Sequence, residues 1–123
     1  MTDSATLEYF ISQRNDLLVI ALMGSLNRQG ERVLEECRER VASASPRKVV
    51  LHLQGLEDRI ELGSVPAFAR FAKALRETPA ELRLSSVHPR LVALLNSKGL
   101  LRPAEVSKTL EEAIRFGGNS GRE

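Results

Sequence analysis

The chain has 123 residues, and its 18 basic side chains are almost balanced by 16 acidic ones, so the formal net charge is only +2. This balance excludes the strongly basic surface that nucleic-acid-binding proteins and proteins that adhere to acidic lipids present. With 42% hydrophobic residues, 4% aromatic residues and no tryptophan, the sequence predicts one domain with a single, mostly aliphatic core.

The cysteine content and the chain ends predict a soluble cytoplasmic protein. Cys37 is the only cysteine, and a chain without an internal disulfide suits a reducing compartment. The first ten residues have no basic start, so they do not resemble a signal peptide, and the longest apolar run, Leu17–Met23, has seven residues, too few for a transmembrane helix. We predict a domain over residues 1–116 and a flexible C-terminal tail, GGNSGRE, over residues 117–123.

The first half of the chain predicts a β-hairpin, a helix and a central strand. Leu7–Gln13 mixes apolar and polar residues, and a short polar turn separates it from the buried run Leu17–Met23, which favours an antiparallel hairpin. Asn27 is a typical N-cap residue for a helix over about 28–44. The β-branched and apolar stretch Lys48–Leu53 then predicts a central strand.

The second half alternates helices with short extended segments. Its predicted elements are a helix over 65–77, a strand over Glu81–Ser85, a helix from His88-Pro89 to a left-handed cap at Gly99, an extended segment near 103–107, and a helix capped by Thr109 and Glu112. Strands that alternate with helices after an initial hairpin predict an α/β fold. We expect a mixed β-sheet of four to five strands with about four helices packed on it.

Residue types that carry catalysis or bind metals are few and scattered. His52, His88 and Cys37 lie far apart in the sequence, and neither histidine has a nucleophile at a catalytic spacing. We interpret His52 as structural, His88 as the start of a helix, and Cys37 as a core residue, with a reactive thiol as the alternative for Cys37. The sequence therefore predicts no enzyme activity, no metal site and no cofactor, and no glycine-rich phosphate loop is present.

A charged segment separates Gly55 from Gly63. Four charged side chains occupy five consecutive positions there, and they are Glu57, Asp58, Arg59 and Glu61. We predict a turn over residues 56–64, between the central strand and the next helix. The turn has two interpretations: a solvated loop at the rim of the sheet, or a surface that binds a partner.

Four short motifs follow one another along the chain: MGSLNRQG, RKVVLHLQGL, VHPRLVALLNSKGLL and SKTLEEAIRF. Together with the order of the elements, they resemble the STAS domain, a family named for sulfate transporters and anti-sigma-factor antagonists. The resemblance covers roughly residues 7–116. The resemblance also implies the expected fold, a STAS-like mixed sheet with packed helices.

The interval of eight between Gly55 and Gly63 is similar to that between two glycines of the family. This alignment places Ile60 on the family's Asp, Glu61 on its phosphorylated Ser, and Leu62 on the following Ser or Thr. The chain departs from the family pattern in three places: Glu61 itself, Asn27 in place of an Asp, and His52 in place of another Asp. Ser64 is the nearest hydroxyl, but it is displaced by three residues, and we do not transfer the phosphorylation site to it.

The resemblance implies a protein-binding switch. In STAS antagonists the unphosphorylated protein binds an anti-sigma-factor kinase, and phosphorylation releases it. A glutamate at the acceptor position predicts a fixed mimic of the phosphorylated state, because it carries a constant negative charge. The predicted partner is an anti-sigma-factor kinase or another STAS-domain protein. The predicted contact residues are Asn27, Glu57, Asp58, Arg59, Glu61, Gly63 and Ser64.

Two alternatives to this interpretation remain at the level of the sequence. One is a structural subunit of a stressosome-like or other STAS-domain assembly, in which the chain forms a homo-oligomer. The other is a ligand-sensing domain linked to a transporter, although no residue indicates a nucleotide or small-anion site.

Overall fold

The computed structural model describes residues 7–60, 62–99 and 106–119, with the backbone alone at 57–60, 62 and 115–119. These residues form a five-stranded sheet in the order β1-β2-β3-β4-β5 with four α-helices. The elements are β1 (Glu8–Arg14), β2 (Leu17–Leu26), α1 (Glu31–Ala44), β3 (Lys48–Ile60), α2 (Val65–Arg76), β4 (Glu81–Ser85), α3 (Pro89–Ser97), β5 (Val106–Ser107) and α4 (Leu110–Asn119). The predicted mixed α/β sheet with about four helices is confirmed.

The sheet combines one antiparallel hairpin with three parallel pairs. β1 pairs with β2 antiparallel, and the turn between them passes through Asn15, whose φ of 55° is in the left-handed region that asparagine tolerates. The β2–β3, β3–β4 and β4–β5 pairs are parallel, which needs a crossover helix between successive strands. The predicted hairpin is confirmed, and so is the central position of β3.

The third strand is longer than predicted. β3 continues from Lys48 to Ile60, so residues 56–60 belong to a strand and the turn predicted over 56–64 is wrong for them. β2 also continues, to Leu26, and it pairs with Gly55, Leu56 and Ile60 in this part of β3. The pairing slips twice and ends with Leu26 beside Ile60, and a short 3₁₀ turn over Leu62–Ser64 then leads into α2.

The main core lies between one face of the sheet and the helices α1, α2 and α3. Apolar side chains at every second position of the strands point to this face of the sheet. They pack against helix faces on which apolar residues recur about every 3.6 positions. Cys37 is fully buried in this core, which confirms its interpretation as a core residue. Phe68 and Phe71 bring aromatic rings into the aliphatic core, with centroids 6.2 Å apart.

The opposite face of the sheet is covered over β3 and β4 by α4. Lys48 Nζ donates a hydrogen bond to the Ile114 carbonyl at 2.5 Å and ties the start of β3 to α4. On the same face, His52 Nδ1 hydrogen-bonds to Ser85 Oγ at 2.9 Å across the β3–β4 pair, consistent with a structural histidine. Val50 lies between them and is completely buried.

The helix ends follow the predicted local chemistry. His88 caps α3, since its Nδ1 accepts from the Arg90 amide at 3.0 Å, and Gly99 has the predicted left-handed φ, 69°. Thr109 Oγ1 accepts from the Glu112 amide at 3.0 Å, but the Glu112 carboxylate accepts from the Lys108 amide instead of completing a reciprocal pair with Thr109.

The predicted tail falls partly outside the described residues. α4 extends to Asn119, and residues 120–123 are not described, so the boundary of the domain stays a prediction. In the part of the chain that the structure covers, none of the helices has the length and apolarity needed to cross a membrane.

Candidate functional site

The candidate site lies where β2 and β3 end. Because the two strands are parallel, their carboxyl ends lie at the same edge of the sheet, and Leu26 is the register partner of Ile60. Asn27 follows β2 directly, so the fold brings it close to the end of β3. Glu61, the residue after Ile60, lies outside the described residues, and only the backbone is described for Glu57, Asp58 and Arg59.

Asn27 organises the entry into α1. Its backbone is extended (φ −139°, ψ −173°), and its Oδ1 accepts from the Gly30 amide at 3.0 Å. This confirms the predicted N-cap, although the capped element is a 3₁₀ turn over Arg28–Gly30 that precedes α1. Gly30 is required there, since an added Cβ would lie 2.8 Å from Leu7 Cβ.

Ser64 links the first turns of the two helices that border the site. Its Oγ donates to Glu31 Oε2 at 3.2 Å, and these residues stand at the starts of α2 and α1. The serine is only 1% exposed. A hydroxyl that is both buried and hydrogen-bonded is poorly placed to receive a phosphoryl group, in agreement with the sequence argument.

Gly63 leaves the surface open at the start of α2. It is exposed, its φ is not in the left-handed region, and an added Cβ would meet no heavy atom within 4 Å. Packing among the described residues therefore does not require glycine at this position.

A charged groove between α1 and α2 extends this surface, and the sequence analysis missed it. Its volume is about 480 Å³. Its lining residues are Glu31, Arg32, Leu34, Glu35, Arg38, Ala67, Arg70 and Phe71. The Arg38 guanidinium hydrogen-bonds to Glu35 and holds the pKa of that carboxyl below its usual range. The sequence shows alternating acidic and basic residues along α1. That they lie close to Arg70 depends on how α1 and α2 pack against each other.

The remaining reactive groups serve the structure. Burial raises the pKa of the Cys37 thiol to about 12, so the nucleophilic thiolate is scarce at neutral pH. Among the described residues, no three His, Cys, Asp or Glu side chains are close enough to hold a metal ion together. The arrangement of charged and open surface at the starts of α1 and α2 is suited to contact with another protein.

Comparison with known proteins identifies the fold. The family model of the STAS domain matches residues 10–113. No curated protein matches the sequence. Among solved structures, a serine-to-glutamate variant of RsbS from Moorella thermoacetica superposes with a TM-score of 0.78 at 15% identity, covering 94% of this chain and 98% of that one.

Two further solved structures are similar. The STAS domain of a SulP transporter from Vibrio cholerae has a TM-score of 0.74 at 15% identity, covering 89% of this chain and 86% of that one. An anti-sigma factor antagonist from Mycobacterium paratuberculosis has a TM-score of 0.73 at 16% identity, with 89% and 92% covered. At such identities the likeness shows a shared fold and does not transfer a partner or an activity.

Proposed function

The chain belongs to the STAS domain family, and from this premise we propose that it is a non-catalytic, protein-binding module of a partner-switching system. It would resemble an anti-sigma-factor antagonist without the phosphorylatable serine. Family membership and the antagonist among its structural neighbours support a role of the partner-switching type. The observation that carries the finer proposal is the surface at the starts of α1 and α2, where Ser64, next to Gly63, hydrogen-bonds to Glu31 of the groove.

The charge at the switch position is the centre of the proposal. The sequence aligns Glu61 with the acceptor serine, and the nearest hydroxyl, Ser64, is buried against Glu31. Phosphorylation of a serine would add about −1.5 to −2 charge at pH 7, whereas glutamate holds a constant −1. The chain would therefore always prefer the partners that the phosphorylated form of an antagonist binds.

The proposed contact residues are Gly63, Glu57, Asp58, Arg59 and Glu61. Asn27 and Ser64 support them, because Asn27 caps the 3₁₀ turn that precedes α1 and Ser64 joins the start of α2 to Glu31 at the start of α1. The arginines of the groove, Arg32 and Arg70, give an acidic segment of the partner a place to bind.

A capture experiment from native cell extract tests this proposal. The baits are the wild-type chain, Glu61→Lys, and Glu77→Lys as the matched control. Glu77 is exposed and follows the last residue of α2, and a helix of 12 residues places it about 18 Å from the start of α2. We expect a sigma-regulating protein to be recovered with the wild type and with Glu77→Lys, and lost with Glu61→Lys. Recovery of an ATPase-type kinase with the wild type would contradict a fixed phosphorylated-like state, because the phosphorylated form of an antagonist releases that kinase.

The melting temperature of each bait separates binding from folding. A charge that serves a contact surface contributes little to stability, so under this proposal Glu61→Lys should have the melting temperature of the wild type. If it unfolds early while capture persists, Glu61 is a structural residue and the proposed surface is wrong. If only STAS-domain proteins or copies of the chain are recovered, unaffected by either substitution, the assembly alternative replaces the switch.

A further inference from the structure

The outer edge of β1 has no neighbouring strand among the described residues, because β1 stands first in the sheet order. Its pairing with β2 is continuous from Glu8 beside Met23 to Arg14 beside Leu17, with no bulge to twist the edge away. Natural edge strands are usually blocked by proline, by a bulge or by charged side chains, above all lysine. The sequence EYFISQR has no proline and no lysine, and its two charged residues stand at its ends, so the free backbone groups between them are open to another strand.

One face of β1 is exposed. Every second side chain lies on it, and these are Glu8, Phe10, Ser12 and Arg14. Phe10 is 69% exposed and is the one large hydrophobic residue so exposed in the described part of the chain. Its register neighbour on β2, Ala21, and the nearby Val19 are only half-buried, since α4 packs on the β3 to β5 side of this face.

We propose that β1 pairs with β1 of a second copy of this chain, antiparallel and centred on Ile11. A two-fold axis through Ile11 places Glu8 opposite Arg14 of the other copy, and the symmetry repeats this ion pair at the other end. Phe10 then faces Ser12 and lies diagonal to Phe10 of the other copy, within reach of an aromatic contact. The product is a continuous ten-stranded sheet, twice the five strands of one chain.

Charge complementarity favours this register, and it favours a second copy of the chain as the strand that pairs with β1. Centring the pair one residue earlier, on Phe10, places Glu8 opposite a serine, and centring it one residue later, on Ser12, places Arg14 opposite a phenylalanine. Both alternatives lose the two ion pairs. A strand with an acid at one end, a base at the other and an exposed aromatic ring near the middle complements its own antiparallel copy. This inference does not depend on the proposed partner-switching function.

Charge exchange at the strand ends tests the interface. Sedimentation of the wild type from ~1 μM to ~1 mM should show a monomer–dimer equilibrium, as expected for a small interface. Glu8→Arg alone and Arg14→Glu alone each place like charges opposite one another twice, and each should weaken the dimer about tenfold or more. An equimolar mixture of the two variants should dimerise like the wild type, because every facing pair is again opposite in charge.

Cross-linking tests the register. Ile11→Cys lies opposite its own copy and should form an intermolecular disulfide, whereas Gln13→Cys would lie about 13 Å away from its copy, from four residues of strand, and should not. The native Cys37 is buried and does not interfere. A wild-type monomer at every concentration would overturn the proposal. So would a dimer that is insensitive to both charge exchanges, or one in which Gln13→Cys cross-links and Ile11→Cys does not.

Discussion

Gly55 and Gly63, which the sequence analysis treated as one spaced pair, should respond with opposite signs to the same substitution. At Gly55 an added Cβ would lie 2.5 Å from Met23 Cγ and 3.2 Å from Met23 Cβ, on the neighbouring strand. At Gly63 it would meet nothing within 4 Å. The two alanine variants therefore add the same methyl group, once into a contact and once into open space.

The magnitudes follow from two competing effects. Overpacking costs about 1–3 kcal/mol, and replacing a strand glycine by alanine returns about 0.5–1 kcal/mol, so Gly55→Ala should lose about 1 kcal/mol of unfolding free energy. Gly63→Ala should gain about 0.4–1 kcal/mol, because alanine restricts the unfolded chain and the native φ tolerates it. For a chain of 123 residues, a change of this size shifts the melting temperature by a few degrees.

Urea unfolding of both variants measures these free energies, with Met23→Ala and the Gly55→Ala/Met23→Ala pair completing a double-mutant cycle. Removing the Met23 side chain beyond Cβ should reduce the cost of Gly55→Ala, with a coupling energy of about 1 kcal/mol. If Gly55→Ala were as stable as the wild type, the close approach of β2 and β3 would be wrong. If Gly63→Ala were destabilised by a similar amount, the open surface at the start of α2 would be wrong.

Two further predictions concern the buried Cys37 and the partly buried Lys48. Burial raises the pKa of Cys37 to about 12, so the thiol's contribution to stability is complete below the ordinary thiol pKa and should fall as pH rises from about 9 to about 12. The difference in unfolding free energy between the wild type and Cys37→Ala, measured across that range, checks this, and a flat difference would contradict it. Lys48→Met removes the hydrogen bond to the Ile114 carbonyl and should cost about 1 kcal/mol and speed hydrogen exchange in α4. Because burial lowers the pKa of Lys48, the charged form weakens the fold, so the advantage of the wild type over Lys48→Met should grow as pH approaches the ordinary lysine pKa. An advantage that shrinks instead would show that the ammonium is not desolvated.

The sequence predicted those elements whose signals are local. The hairpin follows from a polar turn between two apolar runs, and the bounds of β4, Glu81–Ser85, follow from its alternation and from the Thr78-Pro79 break before it. The end of β3 could not be predicted this way, because the charged residues 57–60 favour a turn when considered alone. They continue the strand to Ile60, which pairs with Leu26 of β2, and that partner is remote in sequence.

Part of the candidate site could be predicted from local sequence, and part of it depends on how remote elements pack. Asn27 was identifiable as a cap, and the parallel order of β2 and β3 is enough to bring it near the end of the charged segment. The hydrogen bond from Ser64 to Glu31 was not predictable, since it depends on the relative positions of the starts of α1 and α2. The groove lined by Arg38 and Arg70 has the same origin, two helices whose contact no local pattern encodes.

If the proposed function holds, the fixed charge of Glu61 constrains where regulation takes place. Glu61 cannot cycle between charge states, and Ser64 is buried, so neither residue gives the contact surface two phosphorylation-dependent states. Control would then come from the supply of the partner or from association of the chain with itself. The proposed interface between two copies involves only the outer edge of β1. The proposed contact surface for a partner lies at the ends of β2 and β3 and the starts of α1 and α2. Because the two surfaces share no residue, self-association would double the number of contact surfaces per particle and strengthen binding to a dimeric partner without changing any single contact.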